Sequence, residues 1–161
     1  FMDYVHGFIR EHKYAYTIFG RRRNLEDIRS KDNQVINRCL RQGFNFIVQS
    51  TSSDILLFSL LGLNKRFVSE NLDAKIVSTV HDSLEITCPI HEIEGVSRIV
   101  KEEMVTCPEI QRCYDIDFTV PFEIETVIGR SFGDGVEVMY DDEYNVTNME
   151  EINGYLTHVT P

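Results

Sequence analysis

The sequence is poor in cysteine and lacks both a long apolar run and an export signal. Its 161 residues include four cysteines without a Cys-x-x-Cys pair, so we do not expect a disulfide framework. No run approaches the roughly 18 consecutive apolar residues of a membrane span, and the first residues lack the basic-then-apolar order of a signal peptide. With 42% hydrophobic and 26% charged residues, we expect a soluble, cytoplasmic globular domain with no membrane partner.

Lysine and arginine are also scarce, which at first argues against a nucleic-acid partner. The chain has 16 Lys+Arg and 26 Asp+Glu, for a net charge of -10, whereas phosphate binding requires cations. The charges are unevenly distributed: residues 1–66 hold 11 basic and 6 acidic residues, or +5, and residues 67–161 hold 5 and 20, or -15. This asymmetry predicts a surface for a polyanion in the first part of the chain. An ordinary acidic protein with one basic helix is the alternative.

Periodicity along the chain predicts a mixture of helices and strands. Apolar residues recur at helical spacing in some segments and alternate as in strands in others. The predicted elements are helices at 2–14, 34–67 and 91–105, strands at 15–19 and 117–127, and a hairpin of 75–80 with 84–87. An acidic tail follows at 138–161, with a weak helical pattern near 149–156. Three interpretations of this tail are open: a segment that docks on a partner, a disordered extension, or a packed helix.

Three polar side chains form a stripe along the predicted long helix. Arg41, Asn45 and Gln49 are spaced at i, i+4 and i+8 and therefore share one helical face, with Arg38 just before them. The minor groove of a duplex offers acceptors that barely distinguish base pairs, so these donors can hold any correctly paired duplex without reading its sequence. A solvated polar face is the alternative.

A carboxylate is predicted at the turn of the hairpin. His81, Asp82 and Ser83 separate two β-prone segments, and such a turn would hold Asp82 rigidly and expose it. Mg²⁺ prefers oxygen ligands and usually takes one or two protein carboxylates together with phosphates and water. Asp82 is therefore a candidate for half of a magnesium site, with simple turn chemistry as the alternative.

Three consecutive arginines follow Gly20. Arg21, Arg22 and Arg23 lie in a predicted loop beside Phe19, and this setting suits contact with phosphate. A solvated basic turn is the alternative.

Taken together, these segments resemble the family A DNA polymerases, the DNA polymerase I type. The run Tyr16-Thr-Ile-Phe-Gly-Arg-Arg-Arg23 precedes a helix with the pattern Arg-x3-Asn-x3-Gln. Within that helix, Asn45-Phe-Ile-Val-Gln-Ser-Thr-Ser-Ser-Asp54 is similar to the family's N-x-x-x-Q-G-T-A-A-D run, and Thr79-Val-His-Asp-Ser-Leu84 later resembles its third catalytic motif. The resemblance covers roughly residues 1–135, and the ordered set of motifs is specific.

The resemblance implies an α+β fold with a palm-type antiparallel sheet, a catalytic hairpin and long helices packed on it. Residues 1–137 would be the carboxy-terminal palm and fingers-base portion, and residues 138–161 an acidic extension. Asp82 would be one of two metal-binding aspartates, and His81 would lie near the primer terminus. The residues that would bind DNA are Arg21, Arg22, Arg23, Arg38, Arg41, Asn45 and Gln49.

The implied reaction is template-directed addition of deoxynucleotides to a primer 3′-hydroxyl by a two-metal mechanism. The cofactor would be Mg²⁺, as two ions shared with a carboxylate outside this chain, and the partners would be primer-template DNA and deoxynucleoside triphosphates. The other catalytic aspartate and the fingers lysine would lie upstream of Phe1, in an amino-terminal portion without which the chain would not be active. A compact polymerase portion with a terminal extension suggests a phage or plasmid replication enzyme, which would act in the host cytoplasm if phage-encoded.

One departure from the family and one cysteine spacing keep other functions open. Ser83 stands where the family usually has Glu, so a non-catalytic module that binds primer-template DNA, a split or decayed polymerase remnant, is the main alternative. A zinc-stabilised structural protein is the third hypothesis, because Cys88 and His91 form a Cys-x2-His pair that Cys107 and Cys113 would complete.

Overall fold

The computed structural model describes residues 1–116 and 118–158, which divide into two compact units, unit 1 from Phe1 to Leu57 and unit 2 from Phe58 onward. The helices are α1 (Met2–His12), α2 (Asn33–Ser69), α3 (Ile93–Thr106), α4 (Pro108–Tyr114) and α5 (Met149–His158). The strands are β1 (Tyr14–Tyr16), β2 (Arg22–Asn24), β3 (Lys75–Val80), β4 (Ser83–Thr87), β5 (Val127–Ser131) and β6 (Asp134–Glu137). Consecutive strands pair into antiparallel two-stranded sheets, so the predicted α+β class is confirmed.

Unit 1 forms because an amphipathic helix, a short hairpin and the first part of α2 share one apolar cluster. Helix α1 ends where Lys13 adopts the left-handed conformation, with φ of 67°, and donates its backbone N–H to the Ile9 carbonyl. The chain then turns back through β1 and β2. These two strands pair with each other, and Tyr16 lies opposite Arg22. The buried members of the cluster are Val5, Ile9, Ala15, Leu25, Ile28, Cys39 and Leu40.

Gly43 allows α2 to pack closely on this cluster. A Cβ atom at position 43 would lie 2.5 Å from Ile9 Cδ1 and 2.7 Å from Leu25 Cδ1. Carbon atoms in favourable contact are about 3.5–4.0 Å apart. The absence of a side chain at this helical position therefore makes room for α1 and for the segment after β2.

We expect Gly43→Ala to destabilise the protein by about 1 kcal/mol. Overpacking a core costs about 1–3 kcal/mol, which outweighs the roughly 1 kcal/mol that alanine contributes over glycine inside a helix. Gly7→Ala is the matched control, because nothing lies within 4 Å of its Cβ position in α1 and we expect it to stabilise. Urea unfolding measures both free energies, and stabilisation by Gly43→Ala would contradict the close approach.

Unit 2 is built around a second apolar cluster beneath the β3–β4 hairpin. The last turns of α2 and one face of α3 supply all but Ala74 of its buried residues, at helical spacing. Inward-facing residues of the hairpin, Ile76, Leu84 and Ile86, pack against them. The buried members are Leu63, Phe67, Ala74, Val96, Ile99 and Val100.

The described part of the acidic tail, residues 138–158, is folded and forms part of unit 2. Helix α5 packs on the β5–β6 hairpin. Asn148 fixes the start of this helix, because its side chain accepts a hydrogen bond of 2.9 Å from the Met139 N–H and donates one of 2.9 Å to the Glu137 carbonyl. A packed helix is thus the outcome among the three possibilities left open for this segment. The buried members of this third cluster are Ile93, Val138, Val146, Ile152 and Leu156.

The strand predicted for 117–127 is wrong over most of its length. Residues 118–126 form no strand, and β5 begins only at Val127, while residue 117 lies outside the described residues. Pro121 has no backbone N–H to donate to a neighbouring strand. Phe118 and Phe122 instead contact each other, with ring centroids 4.8 Å apart. The apolar residues of this segment therefore do not share one strand face: Val120 is exposed, and Ile124 packs against the cluster beneath the β3–β4 hairpin.

Helix α2 is long and apolar enough to cross a membrane by length and composition. It contains an 18-residue window of mean hydropathy 1.5, of which 17% is buried. A long core helix of a water-soluble protein meets the same criterion, and Arg41, Asn45 and Gln49 give the first half of α2 an exposed polar face. Length and composition therefore do not assign this helix to a membrane.

A buried carboxylate lies within unit 2. Glu103 of α3 is 5% exposed, and among the described residues its Oε2 atom has no hydrogen-bond partner. Burial raises the pKa of the Glu103 carboxyl, and the nearby carboxylates of Glu102 and Glu109 raise it further. Arg66 opposes this rise, with its Nη1 atom 3.6 Å from Glu103 Oε1.

We expect the stability of the protein to fall as pH rises through the raised pKa of Glu103. The folded protein binds this proton more tightly than the unfolded chain, so the contribution is present below the ordinary glutamate pKa and is lost above the folded one. Glu103→Gln should therefore be more stable than the wild type in alkaline buffer, with a difference that shrinks in acid. Thermal unfolding across this range measures the effect, with Glu94→Gln, exposed on the same helix, as control. A variant less stable than the wild type in alkaline buffer would contradict it.

Candidate functional site

The β3–β4 hairpin places Asp82 in a two-residue turn. Val80 pairs with Ser83, so His81 and Asp82 form the loop between the strands. Short loops of this kind need a positive φ at the first central residue, and His81 has φ of 55°. Ser83 Oγ donates a hydrogen bond of 2.8 Å to the Val80 carbonyl across the turn. The backbone pairing of β3 with β4 and the hydrogen bond from the Ser83 hydroxyl together fix the backbone that carries Asp82.

Asp82 is exposed at this tip, as is His81. Oxygen donors of this kind suit Mg²⁺. Across residues 1–116 and 118–158, however, no group of three or more His, Cys, Asp or Glu side chains could hold a metal ion. Within the described residues, Asp82 therefore does not belong to a complete set of metal ligands.

A cavity of about 410 Å³ lies beside the tip, between the hairpin, α3 and residues 123–129. Its lining includes the carboxylates of Asp82, Glu123 and Glu125, and none of the described residues that line it is Lys or Arg. An anionic lining attracts cations and repels phosphate. The lining of this cavity therefore favours a cation over a free phosphate.

The stripe predicted along the long helix lies on α2 in unit 1. Arg38, Arg41, Asn45 and Gln49 are all exposed, whereas the intervening Gly43 faces the core. Helix α2 is continuous through the stripe, so its donors point outward at regular spacing along one face.

Arg21 is held by a buried aspartate that the sequence analysis did not identify as a site residue. Asp54 of α2 is buried, and its Oδ1 atom forms an ion pair with Arg21 Nη2. The fully buried Thr17 donates a hydrogen bond of 3.1 Å from Oγ1 to Asp54 Oδ2 and accepts one of 3.2 Å from the Arg21 N–H. The one sequence signal for this role was the position of Asp54 at the end of the family-like Asn45–Asp54 run.

Arg22 and Arg23 lie in strand β2 and not in the predicted loop. The Cζ atom of Arg22 lies 3.7 Å from the centroid of the Tyr14 ring, and its Nε donates a hydrogen bond of 3.0 Å to Asn24 Oδ1. Arg23 lies on the opposite face, with Cζ 5.9 Å from the Phe46 ring centroid. Both guanidinium groups are positioned by aromatic rings and stay exposed.

The zinc hypothesis is wrong, because the four candidate ligands are not brought together within the described residues. The Cys107 thiol is buried, lies 3.8 Å from Ser59 Oγ, and donates to the Met104 carbonyl at 3.3 Å. His91 is exposed. Burial raises the pKa of the Cys88 and Cys107 thiols, which disfavours the thiolate form that binds zinc.

Comparison with solved structures identifies the fold as that of a polymerase domain. The described chain superimposes with a TM-score of 0.67 and 24% identity on the "POL domain of Pol1 from M. smegmatis complex with DNA primer-template and dNTP". The match covers 76% of this chain and 20% of that one. At this identity the likeness shows the fold.

The family follows from the sequence. The model of DNA polymerase family A matches residues 1–134, so the chain belongs to DNA polymerase family A, as its motifs suggested. It is 37% identical over 126 residues to the DNA polymerase of Bacillus phage SP01, and 32% identical over 123 residues to the thermostable DNA polymerase I of Thermus aquaticus. These matches cover 78% and 76% of this chain, but the chain spans 14% of the length of either relative.

Proposed function

We propose that this chain is the carboxy-terminal palm portion of a DNA-directed DNA polymerase that extends a primer 3′-hydroxyl with deoxynucleotides. Membership of DNA polymerase family A supports this. The observation that carries the proposal is the exposed Asp82 in a rigid two-residue turn, within a run that resembles the family's third catalytic motif. Because the relatives are several times longer, we propose that an amino-terminal portion supplies the other catalytic aspartate and the fingers lysine.

Asp82 would hold Mg²⁺ through its carboxylate oxygens, together with the carboxylate of the amino-terminal portion. The paired strands and the Ser83 hydroxyl fix the turn, so little reorganisation is needed when charge develops in the transition state. Two bound ions would activate the primer 3′-hydroxyl and stabilise the charge on the triphosphate and the leaving pyrophosphate. His81, on the same turn, would lie near the primer terminus.

The basic unit 1 would hold the primer-template duplex. Donors of the α2 stripe, Arg41, Asn45 and Gln49, would contact the minor-groove acceptors that all base pairs share. Arg38 and the three arginines after Gly20 would contact phosphates. Binding through phosphates releases counterions, so the affinity for duplex should fall steeply with salt.

Reconstitution tests the proposal. The chain is combined with the amino-terminal portion of a family A polymerase, either mixed or joined covalently, and incorporation of a labelled deoxynucleotide on a primer-template is followed with Mg²⁺. We expect incorporation only when both portions are present. A combination that binds primer-template without incorporating nucleotide would overturn the catalytic proposal and favour a non-catalytic module, whose main motivation is Ser83 in place of the usual Glu.

A further inference from the structure

Unit 1 carries a cluster of aromatic rings beside an arginine, apart from the α2 stripe. Tyr14 and Tyr16 lie on the same face of β1, because side chains alternate along a strand, and Ala15 between them is buried. Phe8 of α1 contacts both rings, with centroids 5.4 Å from Tyr14 and 5.3 Å from Tyr16. On β2, Arg22 pairs with Tyr16 and covers the Tyr14 ring. We call Phe8, Tyr14, Tyr16 and Arg22 the aromatic face.

The aromatic face is accessible. Tyr16 is 46% exposed. Next to it lies a shallow apolar cavity of about 140 Å³, to which Tyr16 and Phe8 both contribute. The exposed side chains of Phe1, Tyr4 and Ile18 extend the cavity wall. Phe8 and Tyr14 are partly buried, so the rings are held in place while Tyr16 presents its surface to solvent.

The charge beside the rings indicates the class of ligand. Arg22 uses its Nε for the hydrogen bond to Asn24, and a guanidinium has further N–H donors for a phosphate. Of its neighbours in the chain, Arg21 is paired with Asp54 and Arg23 lies on the opposite face of β2, so it is the Arg22 guanidinium that adjoins the rings. A phosphate group complements this guanidinium.

Aromatic rings beside arginines recognise unpaired nucleic acid. Bases stack on aromatic side chains while cations follow the backbone, and because every base has a π-face this binding tolerates any sequence. In a duplex those faces are already covered by neighbouring base pairs. We propose that the aromatic face binds single-stranded DNA, with a base stacked on Tyr16 and the adjacent phosphate on Arg22. This inference takes DNA as the partner, and Arg22 as a phosphate contact, from the proposed function, and it adds Tyr16 as the stacking surface for the unpaired strand.

The test compares unpaired and paired DNA on the 161-residue chain. Fluorescence anisotropy measures the affinity for labelled oligo(dT) and for a blunt duplex of equal length. We expect Tyr16→Ala to weaken oligo(dT) binding about tenfold, since one stacked base contributes on that order, and to leave duplex binding unchanged. Tyr16→Phe should retain oligo(dT) binding, because the ring is kept. Phe132→Ala, which removes an exposed aromatic ring from the β5–β6 turn, is the matched control and should bind both DNAs like the wild type.

The outcomes separate this inference from the proposed function. If duplex binding depends on Gln49 but oligo(dT) binding is insensitive to Tyr16→Ala, the inference is overturned and the proposed function stands. Equal weakening of oligo(dT) and duplex by Tyr16→Ala also overturns it, since the face would not discriminate unpaired DNA. If the wild-type chain does not bind oligo(dT), the inference is overturned, while the reconstitution experiment still decides the proposed function. Circular dichroism of Tyr16→Ala and Tyr16→Phe checks that loss of binding does not come from loss of folding.

Discussion

Asp82→Asn should lower the rate of nucleotide incorporation by the assembled polymerase about a thousandfold or more. Metal stabilisation of transition-state charge contributes several kcal/mol, and each 1.36 kcal/mol corresponds to a factor of ten. Asparagine keeps the shape of the side chain but loses the negative charge that would hold Mg²⁺. Because Asp82 is exposed in its turn, the substitution removes no buried contact, and Tm should not change. Single-turnover incorporation and thermal unfolding measure the two quantities.

Asp142→Asn is the matched control for this experiment. Asp142 is also an exposed aspartate of unit 2, and its substitution removes the same charge far along the chain from the hairpin turn. We expect incorporation by this variant to equal that of the wild type. Incorporation by Asp82→Asn at the wild-type rate would remove Asp82 from the catalytic site, and with it the observation on which the proposed function depends.

Elements with a strong local period were predictable from the sequence. The long helix predicted at 34–67 is α2, Asn33–Ser69, and the strands predicted at 75–80 and 84–87 are β3 and β4, with β4 starting one residue earlier. In both cases the apolar spacing of the segment itself determines the element. The exposure of Asp82 followed in the same way, because a polar trio between two β-prone runs belongs in a turn.

Features that depend on residues distant in the chain were not predictable in this way. The sequence predicted a loop at residues 21–23, but Arg22 lies in a strand because it pairs with Tyr16 of β1. Residues 118–126 alternate like a strand but form none. The ion pair between Arg21 and Asp54 joins residues 33 positions apart. Such contacts are tertiary, and no local pattern in either segment specifies them.

The roles of the candidate site residues stay predictions for a different physical reason. Minor-groove contacts of the α2 stripe require a duplex, and metal binding by Asp82 requires a second carboxylate. Within the described residues the fold supplies exposure and rigidity for these side chains. The groups that we propose would use them belong to DNA and to an amino-terminal portion of the polymerase.

Arg21→Ala should destabilise unit 1 by about 2 kcal/mol, less than the cost of breaking a fully buried ion pair, because solvent screens the exposed part of the guanidinium. The Asp54 side chain is 11% exposed and that of Arg21 is 45% exposed. Loss of Arg21 therefore leaves the buried Asp54 carboxylate with the Thr17 hydroxyl as its hydrogen-bond donor. Loss of Asp54 instead leaves the Arg21 guanidinium, which water can reach. We accordingly expect Asp54→Ala to cost less, and the double variant to cost less than the sum of the two single variants. Urea unfolding measures all three free energies.

Arg22→Ala separates this structural role from phosphate contact. Arg22 neighbours Arg21 in the chain, but its guanidinium covers an aromatic ring and is not paired with a buried charge. Its loss should weaken DNA binding while changing the free energy of unfolding by no more than about 0.5 kcal/mol, as for an ordinary surface substitution. If Arg21→Ala were equally mild, the ion pair with Asp54 would contribute little to unit 1. Arg21 would then serve DNA binding alone, as the sequence first indicated. If instead Arg21→Ala unfolds unit 1, a loss of DNA binding by that variant reflects the loss of folding. The contribution of phosphate contacts is then measured with variants of Arg22 and Arg23.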